Sequence, residues 1–179
     1  MKKLVYYVAM SLDGYIAGEN DEVGDFIYQG EGVNQYLADL KSFEAVILGR
    51  KTYEFGYKFG AVPGEPSPAY PHMKHYIVSN SLTFDHPHPD VQVIKLSDVA
   101  SLKSTAPTDI YLCGGGELAG DLLKHKLIDE VRVKLNPLLL GKGIKLFERV
   151  DIPFKLSLLD QKSYPDGMLI LSYRVDETP

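Results

Sequence analysis

Asp109–Lys126, DIYLCGGGELAGDLLKHK, is the stretch that decides the fold class. Its first five residues form a short apolar run with branched and aromatic content, the pattern of a buried strand. Gly114-Gly115-Gly116 ends that run, and ELAGDLLKHK then places Leu118, Leu122 and Leu123 on one helical face. A strand, a glycine turn and a helix make the junction at which a parallel sheet passes into its covering layer. Three glycines at the C-terminal end of such a strand let backbone N–H groups approach an anion closely. The helix N-terminus directs partial positive charge the same way. The run is neither GxGxxG nor a Walker A loop, and no acidic ribose ligand of a Rossmann unit is evident. A tight turn that simply needs small residues is the alternative reading.

The same grammar recurs upstream. Ala45–Leu48 (AVIL) is a short buried strand, and Gly49-Arg50-Lys51-Thr52 opens a helix after it. Arg50 offers a fork for bidentate phosphate contact, Lys51 a point charge and Thr52 a hydroxyl. Taken alone, such a turn is more often solvated surface. Two anion-ready junctions in one sheet suit a dinucleotide, one for its pyrophosphate and one for its adenosine end. Ser79 and Asn80, after the strand His75–Val78, could add hydroxyl and amide contacts. Asp13 lies in a Gly-punctuated loop after the first strand, Leu4–Met10. Active sites of such sheets gather there, although an Asx turn explains the residue too.

The remaining elements follow from periodicity and punctuation. Leu37, Leu40 and Phe43 predict a helix over Asn34–Phe43, and Gly56–Pro71 reads as an exposed loop. Val91–Ile94 is a strand, followed by a weak helix from Ser97, as N-cap, to Lys103. Val131–Leu135 is a strand with Arg132 and Lys134 interleaved, facing either solvent or an interface. Phe154–Tyr164 and Met168–Val175 form a terminal antiparallel hairpin around Pro165-Asp-Gly167. The order predicts an α/β sheet, mainly parallel, with an antiparallel end, in one domain over residues 1–179.

Composition narrows the function classes. The net charge of −5 gives no reason to expect nucleic-acid binding, and no apolar run reaches the roughly 20 residues of a membrane span. A lone cysteine, Cys113, forms no internal disulfide and anchors no cysteine zinc site, which suits a reducing, cytoplasmic setting. It reads as a buried, inert thiol. The five histidines show no metal spacing, and no GxSxG elbow supports acyl transfer. Twelve tyrosines beside no tryptophan is the one compositional oddity.

AMSLDGYIAG (Ala9–Gly18), VILGRKTYE (Val46–Glu54), YIVSNS (Tyr76–Ser81) and IYLCGGGELAGDLLKHKLIDEVRVKLNPLLLG (Ile110–Gly141) together resemble the dihydrofolate reductase superfamily. Within it, GGGELAGDLL, LIDE and the PLLLG ending look like the reductase domain of the bifunctional riboflavin-biosynthesis deaminase–reductase. The GRKTYE turn is more similar to dihydrofolate reductase proper. The resemblance implies a dihydrofolate-reductase-like three-layer fold, an eight-stranded mixed sheet that binds extended NADPH. By position, Ala9 and Ile16 would line the nicotinamide pocket, while Gly49, Arg50, Lys51 and Thr52 would hold the pyrophosphate and the 2′-phosphate. Ser79 and Asn80 would touch the 2′-phosphate region, and Gly114, Gly115, Gly116, Glu117 and Leu118 would cradle the pyrophosphate.

The resemblance also implies a homodimer acting on a small molecule, and a stand-alone reductase without the fused deaminase. The pteridine-binding carboxylate of dihydrofolate reductases falls near Val33 or Asn34, neither acidic, with Glu31 expected in the preceding loop. The expected activity is therefore NADPH-dependent reduction of a heterocyclic or ribosylated substrate, with 5-amino-6-(5-phosphoribosylamino)uracil the nearest named one. Asp13 is the candidate catalytic residue. The alternatives are a dihydrofolate reductase with a displaced acid and an NADPH-binding protein without turnover.

Overall fold

Strands that are buried on both faces read as continuous apolar runs, and the central strands here show why. In the computed structural model, which describes residues 1–176, the first strand β1 (Leu4–Ser11) sends Leu4 and Tyr6 to one face and Val5 and Tyr7 to the other. β3 (Ala45–Gly49) does the same with Ala45 and Ile47 against Val46 and Leu48. One face packs on α3 (Val99–Thr105) and α4 (Gly116–Lys124). The other packs on α1 (Glu31–Leu40), α2 (Arg50–Phe55) and the segment through Met73.

The remaining strands are β2 (Tyr15–Ala17), β4 (Lys74–Val78), β5 (Val91–Ile94), β6 (Ile110–Gly114), β7 (Glu130–Asn136), β8 (Ile144–Lys145), β9 (Leu156–Ser163) and β10 (Leu169–Val175). Eight of the ten form one sheet in the order β5-β4-β3-β6-β1-β7-β10-β9, while β2 and β8 form a separate two-stranded ribbon. Pairing is parallel from β5 across to β7 and antiparallel for β7-β10-β9. This is the three-layer mixed sheet expected from the sequence. The C-terminal ends of β1, β3, β4 and β6 share one edge, with the glycine junctions upon it.

Several boundaries differ from the sequence expectation. The first helix spans Glu31–Leu40 rather than Asn34–Phe43, because Gly30 at φ 123° turns the chain into it. Glu31, expected in a loop, is its first residue, and Phe43 reaches the core from the turn beyond. Ser97 is not a helix N-cap: it lies in a 3-10 turn, Leu96–Asp98, and α3 starts after Asp98. The Asp98 carboxylate accepts from the Lys95 N–H at 2.9 Å, so it stabilises the turn before the helix. The segment Gly56–Pro71 is not uniformly exposed. It begins with a 3-10 turn, Gly56–Phe59, and places Tyr70 in the core. The Tyr53 hydroxyl, donating to the Glu65 carbonyl at 2.7 Å, holds that segment down.

β9 is an outer edge strand with Leu156, Leu158 and Leu159 exposed. A concavity of about 980 Å³ lies between β9 and the N-terminal ends of β1 and β7, where Lys3, Glu130 and Arg174 line it. It is at the opposite end of the sheet from the glycine junctions.

Candidate cofactor and substrate site

The parallel pairing of β3 and β6 brings the two junctions side by side. Gly49 precedes α2 and Gly115 precedes α4, and no side chain caps either helix. A Cβ at Gly115 would lie 3.2 Å from Thr52 Oγ1, and one at Gly49 3.6 Å from Leu118 Cβ. Gly114, at φ 115°, ends β6, and its peptide bond to Gly115 is cis. The first turn of α4 therefore presents backbone N–H groups beside Thr52 without a side-chain acceptor. That arrangement suits a phosphate oxygen.

Cations surround this cradle. Arg50 Nε donates to Glu54 Oε1 at 2.7 Å and Nη1 donates to Ser81 Oγ at 3.2 Å, which aims the exposed fork toward the end of β4. Ser79 shapes the same corner, its hydroxyl oxygen accepting from the N–H groups of Ser81 and Leu82. Asn80 is exposed beside it. Glu117 lies between Lys51, at 3.6 Å, and Arg149, at 3.0 Å, so part of the local positive charge is already neutralised.

β2 and β8 fold over the cradle. The Leu146 N–H donates to the Gly14 carbonyl at 3.0 Å, and that of Glu148 to the Gly116 carbonyl at 3.0 Å. Ile16, half-buried, lies on β2 within this flap, and half-buried Ala9 lies near the end of β1. Asp13 is tied into its loop. Oδ1 accepts from Ser11 Oγ at 2.6 Å and from Leu140 N–H at 3.1 Å, and Oδ2 accepts from Gly141 N–H at 2.7 Å. These bonds, led by that from Ser11, hold its pKa below the usual carboxylate range. An ionised carboxylate so engaged braces the loop and has no proton to give near neutral pH. Buried Asn136, which sequence reasoning missed, pins the same region by accepting from Ile27 N–H at 3.0 Å.

The largest omission from the sequence reading is a tyrosine cluster on the α1 side of the sheet. Tyr36 of α1 lies edge-on to Tyr7 of β1, ring centroids 4.9 Å apart, and shares a 2.8 Å hydroxyl–hydroxyl hydrogen bond with Tyr111 of β6. Tyr70 lies 3.4 Å from Cys113 Sγ, and burial pushes that thiol pKa up, so it stays protonated. Burial raises the pKa values of Tyr36 and Tyr111 as well. Lys134 of β7 carries its ammonium 3.8 Å from the Tyr36 ring centroid. Desolvation lowers its pKa to about 8. The surplus of tyrosine was a composition-level clue, but only the fold gathers Tyr7, Tyr36, Tyr70 and Tyr111.

The model of the RibD C-terminal domain matches residues 2–170. The chain belongs to the RibD C-terminal domain family. A Bacillus subtilis (strain 168) relative, described as uncharacterized protein YwjB, is 32% identical over 172 residues, covering 91% of this chain and 92% of that protein.

Among solved structures, a candidate riboflavin biosynthesis protein from Shewanella sp. PV-4 aligns with TM-score 0.80 and 23% identity, covering 98% of this chain and 99% of that one. The diaminohydroxyphosphoribosylaminopyrimidine deaminase/5-amino-6-(5-phosphoribosylamino)uracil reductase of Thermotoga maritima gives 0.73 and 17%, covering 98% of this chain and 57% of that one. Dihydrofolate reductase from Enterococcus faecalis, complexed with NADP(H), gives 0.62 and 14%, covering 98% and 97%. At these identities the structural matches establish the fold, which is dihydrofolate-reductase-like. Among the described residues of this RibD C-terminal domain, no helix is long and apolar enough to cross a membrane.

Proposed function

We propose that this RibD C-terminal domain is an NADPH-dependent reductase of a small heterocyclic or ribosylated substrate, with 5-amino-6-(5-phosphoribosylamino)uracil the leading candidate. The observation that carries the reading is the juxtaposition of two uncapped strand-to-helix junctions with the Arg50 fork at their outer end. Backbone N–H groups of Gly116, Glu117 and Leu118, with the Thr52 hydroxyl, would hold the pyrophosphate. Arg50, Lys51, Ser79 and Asn80 would hold the 2′-phosphate. Ala9 and Ile16 would border the nicotinamide, and the flap of β2 and β8 would exclude water. When bound, the dihydronicotinamide supplies a hydride, and the protein contributes orientation and electrostatics. Asp13 serves this scheme by fixing the loop that carries Ile16.

The expected result is NADPH oxidation, followed by absorbance, on addition of 5-amino-6-(5-phosphoribosylamino)uracil, and none with dihydrofolate. Oxidation with dihydrofolate alone would replace the substrate assignment, and NADPH binding without turnover on either would remove the enzymatic one. A homodimer joined along the open edge of β9 belongs to the same proposal. Sedimentation that finds only 19.9 kDa monomers at micromolar concentration would contradict it.

A further inference from the structure

We propose that Lys134 is the proton donor of the reduction, giving a proton to the substrate carbonyl oxygen or imine nitrogen beside the tyrosine cluster. This inference rests on the reductase reading above and deepens it. Lys134 is the cross-strand partner of Ala9, and partners in register project to the same face. Its ammonium therefore belongs to the space beside the residue proposed to border the nicotinamide.

Two charged neighbours on this face, Arg132 and Asp39, are already engaged, and Asp160 stands with Lys162 on β9, two strands away. Arg132, on the same strand, donates to Glu130 Oε1 at 2.6 Å. Asp39 of α1 accepts from the Tyr7 hydroxyl at 3.1 Å and from Gln35 Nε2 at 2.7 Å. Lys162 of β9 lies one strand beyond Ile170, which pairs with Lys134 on β10. The remaining groups facing Lys134 are neutral: Tyr36 from α1, and Tyr111 and Cys113 from β6. Among the described residues Lys134 thus has an aromatic face for company and no carboxylate partner. An ammonium that has left water for an aromatic wall can bind an electron-rich atom and can part with its proton near neutral pH.

The balance is simple. One hydride from the dihydronicotinamide adds to the carbon of a C=O or C=N bond, and the π pair moves to the heteroatom. The proton from Lys134 Nζ joins that heteroatom, the nicotinamide departs oxidised, and the neutral amine recovers its proton from water. Activity requires protonated Lys134, so the rate should be flat at lower pH and fall as pH rises through about 8.

Two measurements test this. In protein carrying 13C-labelled lysine, with the Lys134→Gln spectrum as assignment, the Lys134 side chain should titrate near pH 8 and remain titratable with NADP+ bound. Titration in the ordinary lysine range, about pH 10.4, or loss of titration on NADP+ binding would overturn the proposal. In the reduction of 5-amino-6-(5-phosphoribosylamino)uracil, Lys134→Gln should lower kcat about a hundredfold and abolish the alkaline limb, leaving the NADP+ dissociation constant within about twofold. Lys134→Arg keeps the charge but holds its proton, so it should also be slow and lack that limb. A wild-type kcat or a retained limb in either variant would overturn the proposal. If the wild-type protein binds NADPH and reduces nothing, the reductase reading fails. The lysine titration then still decides the state of Lys134.

Discussion

Alanine at Gly114, Gly115 and Gly116 is expected to give three different outcomes, because each glycine answers to a different constraint. Gly114 has φ 115°, where an L side chain is strained, so Gly114→Ala should cost about 1–3 kcal/mol of stability. A Cβ on Gly116 would lie 2.2 Å from the Lys145 carbonyl oxygen, which is backbone and cannot swing away. Gly116→Ala must then push β8 and its flap off α4, at a similar cost. It should also lose NADP+ affinity, because the flap covers the cradle.

Gly115 differs from both. Its backbone is extended, at φ −87° and ψ −165°, and its added Cβ would meet only Thr52 Oγ1, the end of a side chain, at 3.2 Å. Gly115→Ala should therefore fold nearly normally but bind NADP+ about tenfold more weakly, or about 1.4 kcal/mol, because the methyl group wedges between the two junctions. Urea unfolding and calorimetric NADP+ titration of the three variants separate these effects. Unaltered NADP+ binding by Gly115→Ala would remove the cradle from the account.

Replacing Arg50 by alanine should discriminate between cofactors. Its fork reaches Ser81 at the corner made by Ser79 and Asn80, so the proposed contact is with the 2′-phosphate. Losing a charge-assisted bond of about 1.5–3 kcal/mol corresponds to about a tenfold to hundredfold rise in the NADPH dissociation constant. NADH lacks that phosphate, so its affinity should hardly change. Equal losses for both cofactors, in parallel titrations, would assign Arg50 to α2 through Glu54 and take it out of phosphate recognition.

The parts of the fold legible in the sequence were those whose environment is local. β1, β3 and β6 are covered on both faces, so their apolar runs are unbroken, and β6 followed by Gly114–Gly116 announced its helix. The first helix was displaced by three residues because its start depends on Gly30 at positive φ, which hydrophobic periodicity does not register. β2 and β8 were missed for another reason. At three and two residues they hold together only by pairing with each other, which no local pattern encodes. The cofactor corner was visible because glycines and cations at strand ends carry a local chemical meaning. Lys134 was visible only as one charge in an alternating strand, and its reduced basicity arises from burial that only the tertiary fold imposes. Asp13 stood out in SLDG, whereas its engagement by Leu140 and Gly141 is purely tertiary.

A titration of the 15N-labelled protein with NADP+, followed through backbone amide resonances, tests the central claim most directly. The account predicts saturable shifts concentrated at Gly49–Thr52 and Gly115–Leu118, with the residues lining the 980 Å³ groove beside β9 unmoved. An absence of saturable binding, or shifts confined to that groove, would contradict it.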